Sequence, residues 1–288
     1  MRHLPILLLT VCSLILITPA CGGGGGGGDD TGSGDDNTPA VLEPTQLDLD
    51  FQALCESEGL TPAAPIPTSA QPLVDLGRAL FFDKELSGNR NISCATCHHP
   101  SEHTGDGLSV SFGEGGTGTG RFRQLANGHL IPRHAPHVWN LGAPEFRTMF
   151  WDGRVRMTQG GRLVTPEPAL NGAAPAASEI AAQLDTALAA QAMFPVTSRE
   201  EMRGQVTAEP DDLRDATSNE EVWAALMDRL GAIPAYRVLF EDAFPNAGGF
   251  DNMNFGHAAR AIAAFERDAW TALDSPFDRY VGGDPSAM

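Results

Sequence analysis

Five consecutive residues carry the most specific chemistry in the chain: Cys94-Ala95-Thr96-Cys97-His98. Two thiols three positions apart leave one side of a helical turn, where they can add to the two vinyl groups of a haem. The imidazole that follows falls beneath the iron as an axial ligand, and c-type haem attachment requires this order of residues. Two other uses of a Cys-x-x-Cys pair do not suit the surroundings. A thioredoxin-like redox pair needs a βαβ setting, and a zinc site needs a second ligand pair. The expected cofactor is therefore one covalently bound haem c, held by Cys94 and Cys97, with His98 on the iron. For the sixth iron position His99, His103, His129, His134 and His137 are all available, His129 first among them. Each is more commonly an ordinary loop histidine, and His257 reads as a packed or surface residue of a helix.

The elements that must position this motif are mostly helical. Helical spacing leads into it from Thr45 to Ser57 and from Pro72 to Phe82; in the second stretch Leu73, Leu76, Leu80 and the phenylalanines share one face. Beyond it, residues 101–136 are glycine-rich and polar and residues 165–178 are rich in Ala and Pro, which predicts long ordered loops or insertions. Ser178 to Met193 reads as one helix. Ser218 with Glu221 predicts a capping box for a helix to about Leu230, and Pro234 opens another at its first turn. Phe255, Ala259, Ile262, Phe265 and Ala269 repeat at helical spacing up to Trp270. With no internal repeat and little strand alternation, the class is mainly α with much coil. Gly113, Gly115 and Gly118 satisfy G-x-G-x-x-G behind the alternating Leu108, Val110 and Phe112. No helix opens directly after them and no acidic residue follows about 20 positions on, so a dinucleotide site is rejected.

At 288 residues, 42% apolar and 19% charged, the chain has room for one or two folded domains. Nineteen basic against 37 acidic side chains give a net charge of -18 with no local Lys/Arg cluster, which excludes nucleic acid and favours a neutral or basic partner. Lys84 is the one lysine, so cationic contacts fall to the planar guanidinium of Arg. Arg2 precedes an apolar stretch from Leu4 to Ile17, too short to span a bilayer, so residues 1–20 read as a secretory signal peptide. It is similar to a bacterial lipoprotein signal, with Cys21 as the lipid-bearing residue. Residues 21–44, rich in Gly and Asp, read as a flexible tether. The expected localisation is periplasmic or cell-envelope, with the lipid anchor as the membrane contact. Cys55, Cys94 and Cys97 then remain, which is no disulfide framework, and Cys55 reads as a buried thiol.

The segment Leu76 to Pro100, LGRALFFDKELSGNRNISCATCHHP, resembles the approach to the first haem of bacterial di-haem cytochrome c peroxidases and the related methylamine-utilisation haem protein. The resemblance continues in the family's order through Phe150-Trp151-Asp152-Gly153-Arg154, Gln191 to Thr197, Glu201-Met202, Ala261 to Arg267 and Ser275 to Tyr280. It implies a cytochrome c-like haem domain with long loops and helical insertions over residues 45–280. Residues 281–288 would begin a linker to a second haem domain, which these residues do not include.

The resemblance also implies roles. Trp151 is similar to the family's tryptophan between the two haems, an electron relay. Gln191, Pro195 and Glu201 keep the family's distal-pocket spacings of four and six, behind a long insertion that follows the Trp151 motif. Glu201 would shuttle a proton between the two oxygens of peroxide, and Gln191 would hold peroxide or water. Where the family has Asn in an Arg-Asn-x-Pro run that helps bind calcium, this chain has Arg133-His134-Ala135-Pro136, so calcium is a doubtful cofactor. The implied activity is reduction of hydrogen peroxide to water with electrons from a small cytochrome c or copper protein, completed by a second haem domain or subunit. Two other readings stay open: a mono-haem electron carrier or haem sensor, and a haem enzyme that oxidises a protein partner.

Overall fold

Thr45 starts the first helix as its spacing predicts, accepting from the Asp48 amide while the Asp48 carboxylate accepts from the Thr45 amide at 2.7 Å. The computed structural model describes residues 43–172, 178–207, 209 and 211–288. The signal peptide, Cys21 and nearly all of the expected tether lie outside them. The helices are α1 (Gln46–Glu58), α2 (Gln71–Phe82), α3 (Cys94–Cys97), α4 (Ala187–Gln191), α5 (Asn219–Gly231), α6 (Pro234–Ala243), α7 (Phe255–Ala269) and α8 (Pro276–Val281).

The core forms where α2 lies across α7. Leu76, Leu80 and Phe81 of α2 are fully buried, as are Phe255, Ala258, Ala259 and Ala261 of α7. Burial of each large apolar side chain contributes roughly 1.5–3 kcal/mol. The crossing is close enough to need glycine: a Cβ on Gly77 would collide with the Ala261 carbonyl and reach 2.8 Å from the Phe265 Cβ. Phe81, Phe265 and Trp270 form a ring cluster with centroids 4.9–5.4 Å apart. Leu73 is only partly buried and Phe82 is 46% exposed, so the apolar face of α2 is narrower than its spacing predicts. Helix α6 is tied to the end of α2 through Tyr236, whose hydroxyl donates to Asp83 at 2.7 Å.

The expected helix from Ser178 to Met193 is broken. A 3-10 turn at Ala181–Gln183 is followed by extended backbone at Leu184, and α4 starts afresh behind Thr186. Thr186 accepts from the Ala189 amide at 3.1 Å, and Asp185 pairs with Arg260 on α7 at 3.2 Å. These bonds compete with a continuing helix at that point. The expected box at Ser218 is half formed: Ser218 accepts from the Glu221 amide, but the Glu221 carboxylate turns to the amide and hydroxyl of Thr217.

The long loops are pinned by small antiparallel ladders. Strands β1 (Ser111–Phe112), β2 (Gly116–Thr117), β3 (Gln124–Leu125) and β4 (Leu130–Ile131) pair as β1 with β4 and β2 with β3. Strands β5 (Thr148–Met149), β6 (Val155–Met157) and β7 (Leu163–Val164) form a third, three-stranded sheet, against which α4 packs. Cys55 is buried in α1 and free, as expected. Among the described residues no helix is long and apolar enough to cross a membrane.

Candidate active site

Helix α3 exists because Ser93 and Thr96 cap it reciprocally, with the Ser93 amide donating to Thr96 Oγ1 at 3.0 Å. The turn ends at His98, whose amide donates to Cys94 O at 2.9 Å. The imidazole is held by two backbone carbonyls, Thr104 O at 3.1 Å and Pro136 O at 3.0 Å from Nδ1. A carbonyl can only accept, so Nδ1 carries the proton and Nε2 presents its lone pair, the arrangement of a metal-bound imidazole. Burial further disfavours the imidazolium of His98. Burial also pushes the thiols of Cys94 up to about 12 and of Cys97 up to about 11, so both stay neutral at physiological pH. Two thiols and one oriented imidazole on a single turn are the donor set a covalently attached haem needs. When bound, haem supplies one-electron redox chemistry at iron.

Three distant stretches converge beside this turn. Glu201 lies close enough to Cys97 for its charge to act on the thiol, as do Arg123 and Asp106. Glu201 sits in a single π-helical turn, Arg199–Arg203, opened by Ser198, which accepts from the Glu201 amide at 3.3 Å. Such turns recur at functional sites. Burial raises the carboxyl of Glu201 above its ordinary range; the guanidinium of Arg154 opposes this and the neighbouring Glu200 reinforces it. Arg154 lies 3.7 Å over the ring of Phe150, whose edge meets Phe194 at 6.0 Å. The Phe150 to Arg154 motif is thereby joined to both the Gln191 to Pro195 turn and Glu201.

Gln191 and Pro195 belong to one chain of tight turns. Gln191 O accepts from Phe194 N at 3.1 Å, and Pro195 O accepts from Ser198 N at 3.3 Å. Trp223, fully buried in α5, fixes this coil by donating Nε1 to Met193 O at 2.9 Å. Trp151, by contrast, is 71% exposed, with the guanidinium of Arg133 stacked 3.9 Å from its ring centroid. The Arg133 to Pro136 run thus touches the site at both ends, through Arg133 on Trp151 and Pro136 on His98.

The candidate sixth ligands divide by exposure. His103, His129, His134 and His137 are exposed, and His99 is half-buried with Nδ1 2.7 Å from Ser101 Oγ. His257 is buried in α7, with its ring edge-on to Phe244 at 4.8 Å. Among the described residues no group of three or more His, Cys, Asp or Glu side chains has the arrangement of a metal site. Sequence reasoning assigned no work to Arg154 and Arg123 individually. Arg154 had a signal, its place in a matched motif. Arg123 had none, because its partners are carbonyls of a loop.

This fold and site define a mainly helical domain built around a c-type haem-attachment turn. The model of the di-haem cytochrome c peroxidase family matches residues 71–286, and the chain belongs to that family. It is 32% identical over 216 residues to the methylamine utilization protein MauG of Methylorubrum extorquens, covering 75% of this chain and 42% of that protein. It is 30% identical over 217 residues to the cytochrome c551 peroxidase of Pseudomonas aeruginosa, covering 74% and 43%. A solved MauG-like protein associated with microbial copper homeostasis superposes with a TM-score of 0.45 at 24% identity, over 87% of this chain and 51% of that one. The chain therefore spans less than half the length of these two curated relatives.

Proposed function

We propose that this chain is the haem c-bearing peroxidatic domain of a di-haem peroxidase, in which hydrogen peroxide is reduced to two waters by two electrons and two protons. The observation that carries this reading is Glu201, a buried carboxyl with a raised pKa set beside the haem-attachment turn and joined through Arg154 to the Phe150 to Arg154 motif. Cys94 and Cys97 hold one haem and His98 orients through its two carbonyl contacts. Glu201 accepts the proton of the inner peroxide oxygen and returns it to the outer one, which leaves as water. Gln191 binds peroxide or water, and Pro195 shapes the turn between them. Trp151 passes electrons from a second haem domain or subunit, reached through residues 281–288, and a small cytochrome c or copper protein supplies them. Residues 1–20 export the chain, and lipid on Cys21 with the tether to residue 44 holds it in the periplasm or cell envelope.

The test is expression with c-type haem maturation, a pyridine haemochrome count and ferric spectra with and without peroxide. One covalent haem per chain is expected, with a peroxide reaction that Glu201→Gln slows by roughly 10²–10⁴. Absence of covalent haem would remove the reading. A low-spin haem inert to peroxide before and after reduction would indicate an electron carrier instead.

A further inference from the structure

The glycine run that does not bind a nucleotide binds a guanidinium. Arg123, 5% exposed, donates Nε to Phe112 O at 2.5 Å, Nη2 to Gly113 O at 2.6 Å and Nη1 to Gly118 O at 2.9 Å. Among the described residues it forms no ion pair with a carboxylate. A buried charge hydrogen-bonded to neutral carbonyls, with the Glu114 carboxylate acting on it only through space, is costly, and its return is geometric: the rigid fork fixes three loop carbonyls relative to one another.

What those carbonyls hold in place is the π-turn. Glu114 N donates to Glu200 O at 2.8 Å. A Cβ on Gly113 would run into Glu200 O and reach 2.8 Å from the Cα of Glu201. On the other side Gly88 N donates to Met202 O at 2.9 Å, again at a distance only glycine permits, since its Cβ would collide with Arg203 O. Glu201 is thus set between two backbone clamps, one on the residue before it and one on the residue after. The Gly88 clamp precedes the α3 turn in a well-buried segment, with Leu86, Ser87 and Ile92 at 0–1% exposure. The Gly113 clamp lies in the link between two ladders, each two residues long, which do not hold a geometry unaided.

We propose that Arg123 is a positioning residue for Glu201: by gripping the Phe112, Gly113 and Gly118 carbonyls it holds the Gly113–Glu114 backbone against the turn that carries the carboxylate. This rests on the reading that Glu201 handles the proton in peroxide cleavage. Arg123 acts through contact geometry, because the charges that act on Glu201 are those of Arg154 and Glu200. A displacement of about 1 Å costs a positioned group up to about 10² in rate.

The experiment uses the haem-loaded chain, with amide hydrogen exchange and stopped-flow peroxide kinetics on Arg123→Gln, Arg123→Lys, Glu201→Gln and the Arg123→Gln/Glu201→Gln double variant. Arg123→Gln should speed exchange at the Glu114 and Met202 to Gly204 amides at least about tenfold and slow the peroxide reaction about tenfold, with Arg123→Lys recovering part of both. On the Glu201→Gln background the same change should cost less than about twofold, because the group it positions is already gone. Unchanged exchange, or losses that multiply in the double variant, would overturn the proposal. A Glu201→Gln variant as fast as the parent would instead defeat the proton-transfer reading and leave the exchange result to decide the clamp alone. Gly113→Ala, which keeps Arg123 and displaces the same backbone, carries both readouts if Arg123→Gln fails to take up haem.

Discussion

The pKa of Glu201, the proposed proton carrier, is set by three influences of unequal effect: burial, which raises it most, Arg154, which lowers it, and Glu200, which raises it least. A general base works only when ionised, so the peroxide reaction should rise with pH through the pKa of Glu201. Removing the Arg154 charge takes away the influence that favours the carboxylate. Arg154→Gln should therefore move that rise to higher pH, and stopped-flow rates from about pH 4 to 9 read the midpoint directly. A midpoint that stays put would mean that Arg154 serves the ring of Phe150 and not the carboxylate. None of this is legible in Arg199-Glu200-Glu201 as written, a run that reads as a solvated turn. The burial comes from residues 87 to 113 positions earlier in the chain, at Gly88 and Gly113–Glu114.

Helix α7 and its partner α2 show what local pattern reveals and what it hides. The stripe from Phe255 to Ala269, the Ser218 cap and the opening of α6 at Pro234 are properties of neighbouring residues, so they could be read directly from the sequence. The break at Asp185-Thr186 depends on Arg260 of α7 and could not be read from the helical pattern around it. Close crossing makes a first prediction: Gly77→Ala should cost at least 1–3 kcal/mol of stability in denaturant unfolding, since the obstacle is the Ala261 backbone and not a movable side chain. A second concerns Glu266, buried in α7, whose carboxyl burial raises to about 8 from an ordinary 4.5. Between those values the unfolded chain has lost a proton that the folded chain keeps, so stability from this group falls as pH rises, by about 1.4 kcal/mol per pH unit at most. Glu266→Gln should remove that decline, seen as a flatter dependence of the unfolding midpoint between pH 5 and 8 than in the parent.

At the scale of the whole molecule, the charge of -18 governs encounter more than fold. Trp151 stands 71% exposed beneath Arg133, so replacing it by Phe should change stability by no more than about 0.5 kcal/mol while slowing electron delivery through this face. Such a separation would distinguish a relay from a packing residue, because a packing tryptophan would lose stability first. A small redox protein of the kind proposed as donor would meet in this chain a molecule of strongly negative net charge. Long-range attraction then favours a basic donor, and screening weakens it as the Debye length falls from about 10 Å at 0.1 M salt to about 3 Å at 1 M. Reduction of the ferric haem by a basic small cytochrome should therefore slow steeply with added salt, whereas an acidic donor should start slower and gain. Stopped-flow reduction by one donor of each sign across that range reads both slopes. Equal, flat dependences would mean that the acidic residues lie away from the docking face, and that short-range contacts alone select the partner.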